Sequence, residues 1–393
     1  MSNLLIVAGE ASGDLHGGRL VQSLKALAPA CNVYGIGGEQ MARAGMELLF
    51  HIRDMAVVGF TEVIRHLPFL RRVMHTLEEE IERRRPSVAI LIDYPGFNLR
   101  LAERLRARGI KVLFYIAPQV WAWGAGRIPK MAGVLDEMAV VFPFEVELFE
   151  KAGLPTTFVG HPLLEGLAPQ LSRADFFQRC AFHEGRPLLG LLPGSRAHEI
   201  ARLLPDMIAT AQMLKERLPQ LQIGLAQAPN LPRSLYQRHL SDPAITLIEN
   251  ATYELMRDST ACLVCSGTAT LETACFGTPL VIVYRISRLS YEIGKRLVKL
   301  PHIGLVNVVA GRKIAPELVQ NAFTPDAAAA ALWPFLHDQT ARARMSAELI
   351  QVRERLGTPG ASMRAAKIAL RLAGISVEAE ASTPMQESKP FMQ

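Results

Sequence analysis

The stretch Ala261-Cys-Leu-Val-Cys-Ser-Gly-Thr-Ala-Thr-Leu-Glu272 carries an apolar strand through Ser266-Gly267 straight into a helix. Such a junction suits a nucleoside diphosphate. Gly267 lets the backbone approach a ligand closely, and the helix opening at Thr268 and Ala269 presents free N–H groups and a positive dipole end to phosphate. Glu272 shares a helical face with Thr268 one turn deeper, where a carboxylate accepts hydrogen bonds from ribose hydroxyls. A second turn of this type, Gly9-Glu10-Ala11-Ser12-Gly13-Asp14, follows the apolar run 4–8 and precedes the helical pattern Leu15, Leu20, Val21, Leu24, Leu27. It lacks the G-x-G-x-x-G spacing, and no G-x-x-x-x-G-K-[ST] occurs, so NAD and P-loop readings have no motif support. Two such turns point to two nucleotide-fold halves facing each other across a cleft.

Five segments in order resemble the lipid-A-disaccharide synthase family: Val7-Ala-Gly-Glu-Ala-Ser-Gly-Asp14, Tyr115-Ile-Ala-Pro-Gln-Val-Trp-Ala-Trp123, Leu191-Leu-Pro-Gly-Ser-Arg196, Ser266-Gly-Thr-Ala-Thr-Leu-Glu272 and Asn307-Val-Val-Ala-Gly-Arg312. The likeness runs from about residue 4 to about residue 372. It implies an inverting glycosyltransferase of the GT-B type with two Rossmann-like domains. The implied reaction moves 2,3-diacylglucosamine from its UDP ester to the 6-hydroxyl of 2,3-diacylglucosamine 1-phosphate, giving a β-1,6 disaccharide and UDP. The implied partners are those two substrates and the cytoplasmic surface of the inner membrane, with a homodimer as a further expectation and no nucleic acid.

Transfer needs a base for the acceptor hydroxyl. Asp93 is the first candidate, because it follows the apolar run 88–92 and so falls at a strand's carboxyl end, where open α/β sheets place ligands. The matching family position supports that role; the ordinary alternative is a cap for the next helix. Glu10 and Asp14 are competing carboxylates on the first-half turn, which with Gly9, Ser12 and Gly13 is assigned to the acceptor side. His161, before Pro162, is a base by type but fits a structural hydrogen bond better. The departing UDP needs charge stabilisation. No D-x-D pair is present to hold a cation, so no metal and no cofactor are expected, and helix N-termini with arginine carry the load. Arg196, forced into place by Pro193-Gly194-Ser195, can give phosphate a bidentate contact; otherwise it is a surface arginine paired with Glu199. Asn307 and Arg312 resemble donor-site positions of the family.

These residues must be positioned by alternating strands and helices. Strand candidates in the first half are 4–8, 32–36, 88–92, 112–116, 137–141 and 157–159, and in the second half 188–192, 222–226, 244–248, 261–265 and 280–284. The expected domains are an acceptor domain over 1–175 and a UDP-sugar domain over 176–355, joined by a polar crossover around 169–185. A C-terminal helix over 356–375, alanine-rich with Arg364, Lys367 and Arg371, returns to the first domain or a partner. The tail 376–393, rich in Glu, Ser, Pro and Gln, reads as disordered.

Bulk properties agree. The 393 residues suffice for two domains with full cores, and although 49% are hydrophobic no apolar run approaches the roughly 18 residues of a membrane span. The start lacks the pattern of a signal peptide, so a cytoplasmic protein is expected. Five cysteines, Cys31, Cys180, Cys262, Cys265 and Cys275, read as buried thiols, and Cys262-x-x-Cys265 within a strand points its side chains to opposite faces. The segment 57–74, apolar with Arg65, Arg71 and Arg72 interleaved, fits either an amphipathic membrane face or a core-facing helix with a charged outer side. A basic group, Arg285, Arg288, Lys295, Arg296 and Lys299, suits anionic lipid or the acceptor phosphate. The net charge of +6 is modest. Two other readings stand beside transfer: a UDP-sugar 2-epimerase of the same plan, and a noncatalytic lipid-binding protein.

Overall fold

The computed structural model describes residues 2–55, 60–122, 124–240, 242–287, 291–292 and 301–376, with the backbone alone over 60–67. The first sheet holds seven strands: β1 (Asn3–Ala8), β2 (Asn32–Gly37), β3 (Glu47–His51), β4 (Val88–Ile92), β5 (Lys111–Tyr115), β6 (Glu137–Val140) and β7 (Thr156–Phe158). The second holds six: β8 (Leu188–Leu192), β9 (Gln222–Ala226), β10 (Ile245–Ile248), β11 (Ala261–Cys265), β12 (Leu280–Tyr284) and β13 (Glu317–Val319). All pairings are parallel, in the orders β3-β2-β1-β4-β5-β6-β7 and β10-β9-β8-β11-β12-β13.

Helices cover both faces of each sheet, which is why the central strands read as unbroken apolar runs. Along β1, Leu4, Ile6 and Ala8 join one buried cluster while Leu5 and Val7 join another on the opposite face. The first of these clusters continues into the second half through Phe176, Phe177, Leu192 and Val264. Strand order reverses between β1 and β4 in one sheet and between β8 and β11 in the other, and such reversals open crevices at the strands' carboxyl ends.

The expected C-terminal helix is Ala361–Leu372, and it returns to the first half. It packs on the helix Ala11–Leu27 and on β4 and β5, burying Ala365, Ala366 and Ala369. Small side chains allow that close approach, and polar bonds fix its register. Ser362 donates from both N and Oγ to Glu165, each at 2.8 Å, and Arg364 Nε donates to the Val159 carbonyl at 2.8 Å.

Two strands have no counterpart among the expected ones. Both β3 and β13 are partly exposed edge strands without the buried apolar run that marks a central strand. The crossover around 169–185 is also more ordered than its polar composition suggests. It contains the helix Arg173–Arg179, capped by Ser172 and burying Phe176 and Phe177. Glu254 accepts from the amides of Gln170 at 2.5 Å and Leu171 at 2.9 Å, fastening the crossover to the second half. From residue 377 onward the expected disordered tail lies outside the described residues. None of the described helices is long and apolar enough to cross a membrane.

Candidate active site

The first strand-order reversal brings Glu10, at the end of β1, beside Asp93, at the end of β4, because Ala8 pairs with Ile92. Asp93 and Tyr94 are consecutive left-handed residues, with φ of 46° and 49°. Non-glycine residues hold that conformation only where surroundings enforce it, and such strain gathers at functional sites. Asn98, fully buried on the next helix, enforces it: its Nδ2 donates to the carbonyls of Asp93 at 2.7 Å and Ile92 at 3.3 Å. The helix Pro95–Ala107 takes Tyr94, not Asp93, as its N-cap, and no side chain caps it there. Burial raises the Asp93 carboxyl's pKa and the charge of Glu10 raises it further, against partial relief from the Tyr94 amide. A carboxylate so placed is a stronger base than an exposed one.

The other first-half candidates divide. Ser12 is exposed near the start of the helix Ala11–Leu27, whose N-cap Glu10 offers no side-chain bond, and Gly13 is buried so close to Ala8 that a methyl group added at Gly13 would lie 3.2 Å from the Ala8 Cβ. Asp14 is 5% exposed, and its carboxylate accepts from the amides of Gly38 at 2.7 Å, Gln40 at 3.0 Å and Met41 at 3.1 Å. It therefore organises the loop after β2, with its carboxylate oxygens engaged by those three amides. His161 is also structural. Its Nδ1 accepts from the Leu163 amide at 3.1 Å, and burial, with His16 nearby, pushes its pKa down to about 3.

The second reversal joins the turn after β8 to the turn after β11, since Leu192 pairs with Val264. Gly267 has φ 151°, and a side chain built on it meets nothing within 4 Å, so open space lies over the turn. No side chain caps the helix Thr268–Cys275, which leaves its leading N–H groups to a ligand. Thr268 is exposed and Ala269 partly so. Glu272 is held by the Tyr253 hydroxyl at 3.1 Å, and burial raises its pKa. Burial and Glu272 in turn raise the Tyr253 phenol, opposed by the charge of Arg19 from the first half.

Ser195 and Arg196 are exposed on the neighbouring turn. The alternative pairing is present: Arg196 Nη1 bonds Glu199 Oε1 at 3.1 Å, yet its side chain remains 72% exposed. Glu199 is the organiser here, accepting from the amides of Ser195 at 3.0 Å and Arg196 at 3.1 Å. Its signal was a Glu three residues into the helix, the capping-box position.

Two donor-side candidates sit differently from expectation. Asn307 is fully buried with both ends of its amide engaged, donating to Ala315 O and Glu317 Oε1 and accepting from the amides of Ile314 and Ala315. Arg312 pairs with Glu348 and lines a separate cavity of about 440 Å³ with Lys313, Phe335 and Arg344. Arg285 is likewise tied down, to Asp206 Oδ2 at 2.6 Å and to the Phe323 carbonyl at 2.6 Å. Arg288, Lys295, Arg296 and Lys299 lie outside the described residues. In the segment 57–74, Val73 and Met74 are core and Phe69 and Leu70 half-buried against it, while Arg71 and Arg72 are exposed. This end follows the core-facing alternative; residues 57–59 and the side chains of 60–67 lie outside the described residues.

Comparison with known proteins places the chain. Residues 4–371 match the lipid-A-disaccharide synthetase family. The lipid-A-disaccharide synthase of Geobacter sulfurreducens is 43% identical over 376 residues, 95% of this chain and 98% of that protein. That of Syntrophus aciditrophicus is 45% identical over 372 residues, 94% and 97% of the two chains. Among solved structures, the UDP-GlcNAc 2-epimerase from Neisseria meningitidis bound to UDP-GlcNAc aligns with a TM-score of 0.64 at 13% identity, covering 94% of this chain and 100% of that one. The calicheamicin glycosyltransferase aligns at 0.62 with 14% identity, covering 94% and 98%. At such identities these structures speak for the fold alone, so the epimerase reading has only architecture behind it. With the family motifs carried at the two strand-order reversals and relatives above 40% identity along nearly the whole length, the chain belongs to the lipid-A-disaccharide synthetase family and is a glycosyltransferase.

Proposed function

We propose that the enzyme transfers 2,3-diacylglucosamine from UDP-2,3-diacylglucosamine to the 6-hydroxyl of 2,3-diacylglucosamine 1-phosphate, with inversion at the anomeric carbon. The observation that carries this reading is the division of labour between the two crevices. One holds a half-buried carboxylate with a raised pKa and the other an open, uncapped helix start beside an exposed arginine.

In the proposed reaction the acceptor O6 attacks C1 of the donor sugar as its proton passes to Asp93. The C1–O bond to UDP breaks, and its electron pair leaves on the diphosphate. The N–H groups at Gly267, Thr268 and Ala269 and the Arg196 guanidinium stabilise the charge that develops there, on a turn that Ser266 anchors through its amide hydrogen bond to the Val283 carbonyl. Ser195 flanks Arg196, and Glu272 holds the ribose. Glu10 supports Asp93 electrostatically and orients the acceptor with Gly9, Ser12 and Gly13. Asn307 shapes the donor side from behind, and Arg312 is not assigned a contact. The acyl chains of both substrates favour work at a membrane surface, with the segment 57–74 as the docking face.

The test is incubation with UDP-diacylglucosamine, with and without acceptor, in the presence of EDTA. Acceptor-dependent release of UDP and a disaccharide, unaffected by EDTA, is the expected result. Conversion of the donor without acceptor would indicate epimerisation, and activity restored by magnesium or manganese would overturn the metal-independent account of the leaving group.

A further inference from the structure

Glu317 begins the edge strand β13 and had no place in the motifs. Its carboxylate accepts from the amides of Ile303 at 3.1 Å and Gly304 at 3.0 Å, and from Asn307 Nδ2 at 2.7 Å. The Ile303 carbonyl, on the same short segment, accepts from Ser266 Oγ at 3.1 Å. One carboxylate is thus connected through a single peptide segment to the turn that opens the helix Thr268–Cys275. Gly304 permits the arrangement, because a side chain there would collide with Ile282 and crowd Glu317 Oε1 at 3.2 Å. Asn307, with every polar valence in use, holds the far side of the same carboxylate to the Ile314–Ala315 backbone.

We propose that Glu317 is a positioning residue for the donor diphosphate, acting through the Ile303–Gly304 segment on Ser266. This inference rests on the donor-site reading of the Ser266 turn. A carboxylate that takes three N–H groups fixes a segment more firmly than a neutral acceptor, since charge-assisted bonds are roughly twice as strong. With Ser266 anchored by its amide to the Val283 carbonyl and by Oγ to the Ile303 carbonyl, the following N–H groups of Gly267, Thr268 and Ala269 meet phosphate without reorganisation when UDP arrives. It also accounts for Asn307 on the donor side without direct contact: the amide braces Glu317.

The experiment measures UDP affinity by calorimetry, with thermal midpoints alongside, for the parent, Glu317→Gln, Ser266→Ala, their double mutant and Arg196→Ala. Glu317→Gln places an NH2 against the donors and is expected to weaken UDP about tenfold, with Ser266→Ala weaker about threefold. Because both act along one route, the double mutant binds UDP no worse than Glu317→Gln alone. A folded Glu317→Gln with parental UDP affinity overturns the proposal, as does strict additivity with Ser266→Ala. Should Glu317→Gln fail to fold, Ser266→Ala decides: loss of UDP affinity supports the route and parental affinity overturns it. If Arg196→Ala and Ser266→Ala both bind UDP like the parent, it is the donor-site reading itself that fails.

Discussion

The ring of Tyr94 lies directly on Gly9, so that even a methyl group at Gly9 would overlap Cγ and both Cδ atoms of the ring. Gly9 opens the glycine-rich turn after β1, and Tyr94 follows the proposed base. The close approach therefore couples the position of Asp93 to the absence of a side chain one strand away. Gly9→Ala is expected to displace Tyr94, disturb the left-handed pair and lower turnover at least tenfold, a scale consistent with small misplacements of reacting groups. UDP affinity, assigned by the proposal to the other sheet, is expected to stay parental. Steady-state kinetics with calorimetry checks both halves, and normal turnover would uncouple Gly9 from the base.

Asp93→Asn is expected to lower turnover by roughly 100-fold or more while sparing UDP binding, the usual scale for losing a general base. Because burial and Glu10 hold the Asp93 pKa up, the acid limb of kcat/KM falls above the pH expected for an ordinary aspartate. The base works only when deprotonated, so activity drops as pH falls through that raised pKa. Glu10→Gln removes the like charge, lowers the Asp93 pKa and moves the limb to lower pH. A limb that moves upward or stays fixed in Glu10→Gln contradicts this pairing, and near-normal turnover in Asp93→Asn moves attention to Glu10.

Glu145 is 1% exposed, and burial pushes its carboxyl up to about 7 despite hydrogen bonds from Phe142 N and Trp121 Nε1. An acid whose folded pKa exceeds its unfolded value binds more protons when folded. Stability is then greatest below the unfolded pKa and is lost as pH rises from about 4.5 to about 7. Urea midpoints between pH 5 and pH 8 should fall in the parent and change less in Glu145→Gln. Equal slopes in the two proteins would show that Glu145 does not carry this dependence.

The membrane proposal is tested without touching the core. Arg71 and Arg72 are exposed, whereas Phe69 and Leu70 help cover buried side chains. Replacing both arginines with glutamine should reduce co-sedimentation with anionic vesicles at low salt and leave the thermal midpoint near parental. Salt should release the parent, since charges are screened over roughly 10 Å at 0.1 M. Undiminished binding would place the membrane face elsewhere.

The turns were legible because they are local: an apolar run, a glycine and a helix start within a dozen residues announce both the strand end and the ligand edge. The central strands were legible for the same reason, with β1, β4, β8, β11 and β12 near their expected limits. What was not legible depends on distant partners. Asp14 looks like an exposed turn carboxylate until Gly38, Gln40 and Met41 donate to it from another loop. Asn307 and Arg312 share one motif, yet one is buried against Glu317 and the other reaches Glu348. Glu317 gave no signal because its meaning lies in two amides that precede it by more than a dozen residues.

The chain crosses between its halves twice, once near His161 to Ser172 and once before the helix Ala361–Leu372, and the His161 amide donates to the Leu356 carbonyl at 2.8 Å where the two passages meet. Two passages bonded side by side hold the halves by a double strap rather than a single linker. The same return makes the first half a late finisher during synthesis. The apolar stripe Leu20, Val21 and Leu24 of its first helix shares a cluster with Ala365 and Ala369, so it lacks that cover until the helix Ala361–Leu372 has been synthesised.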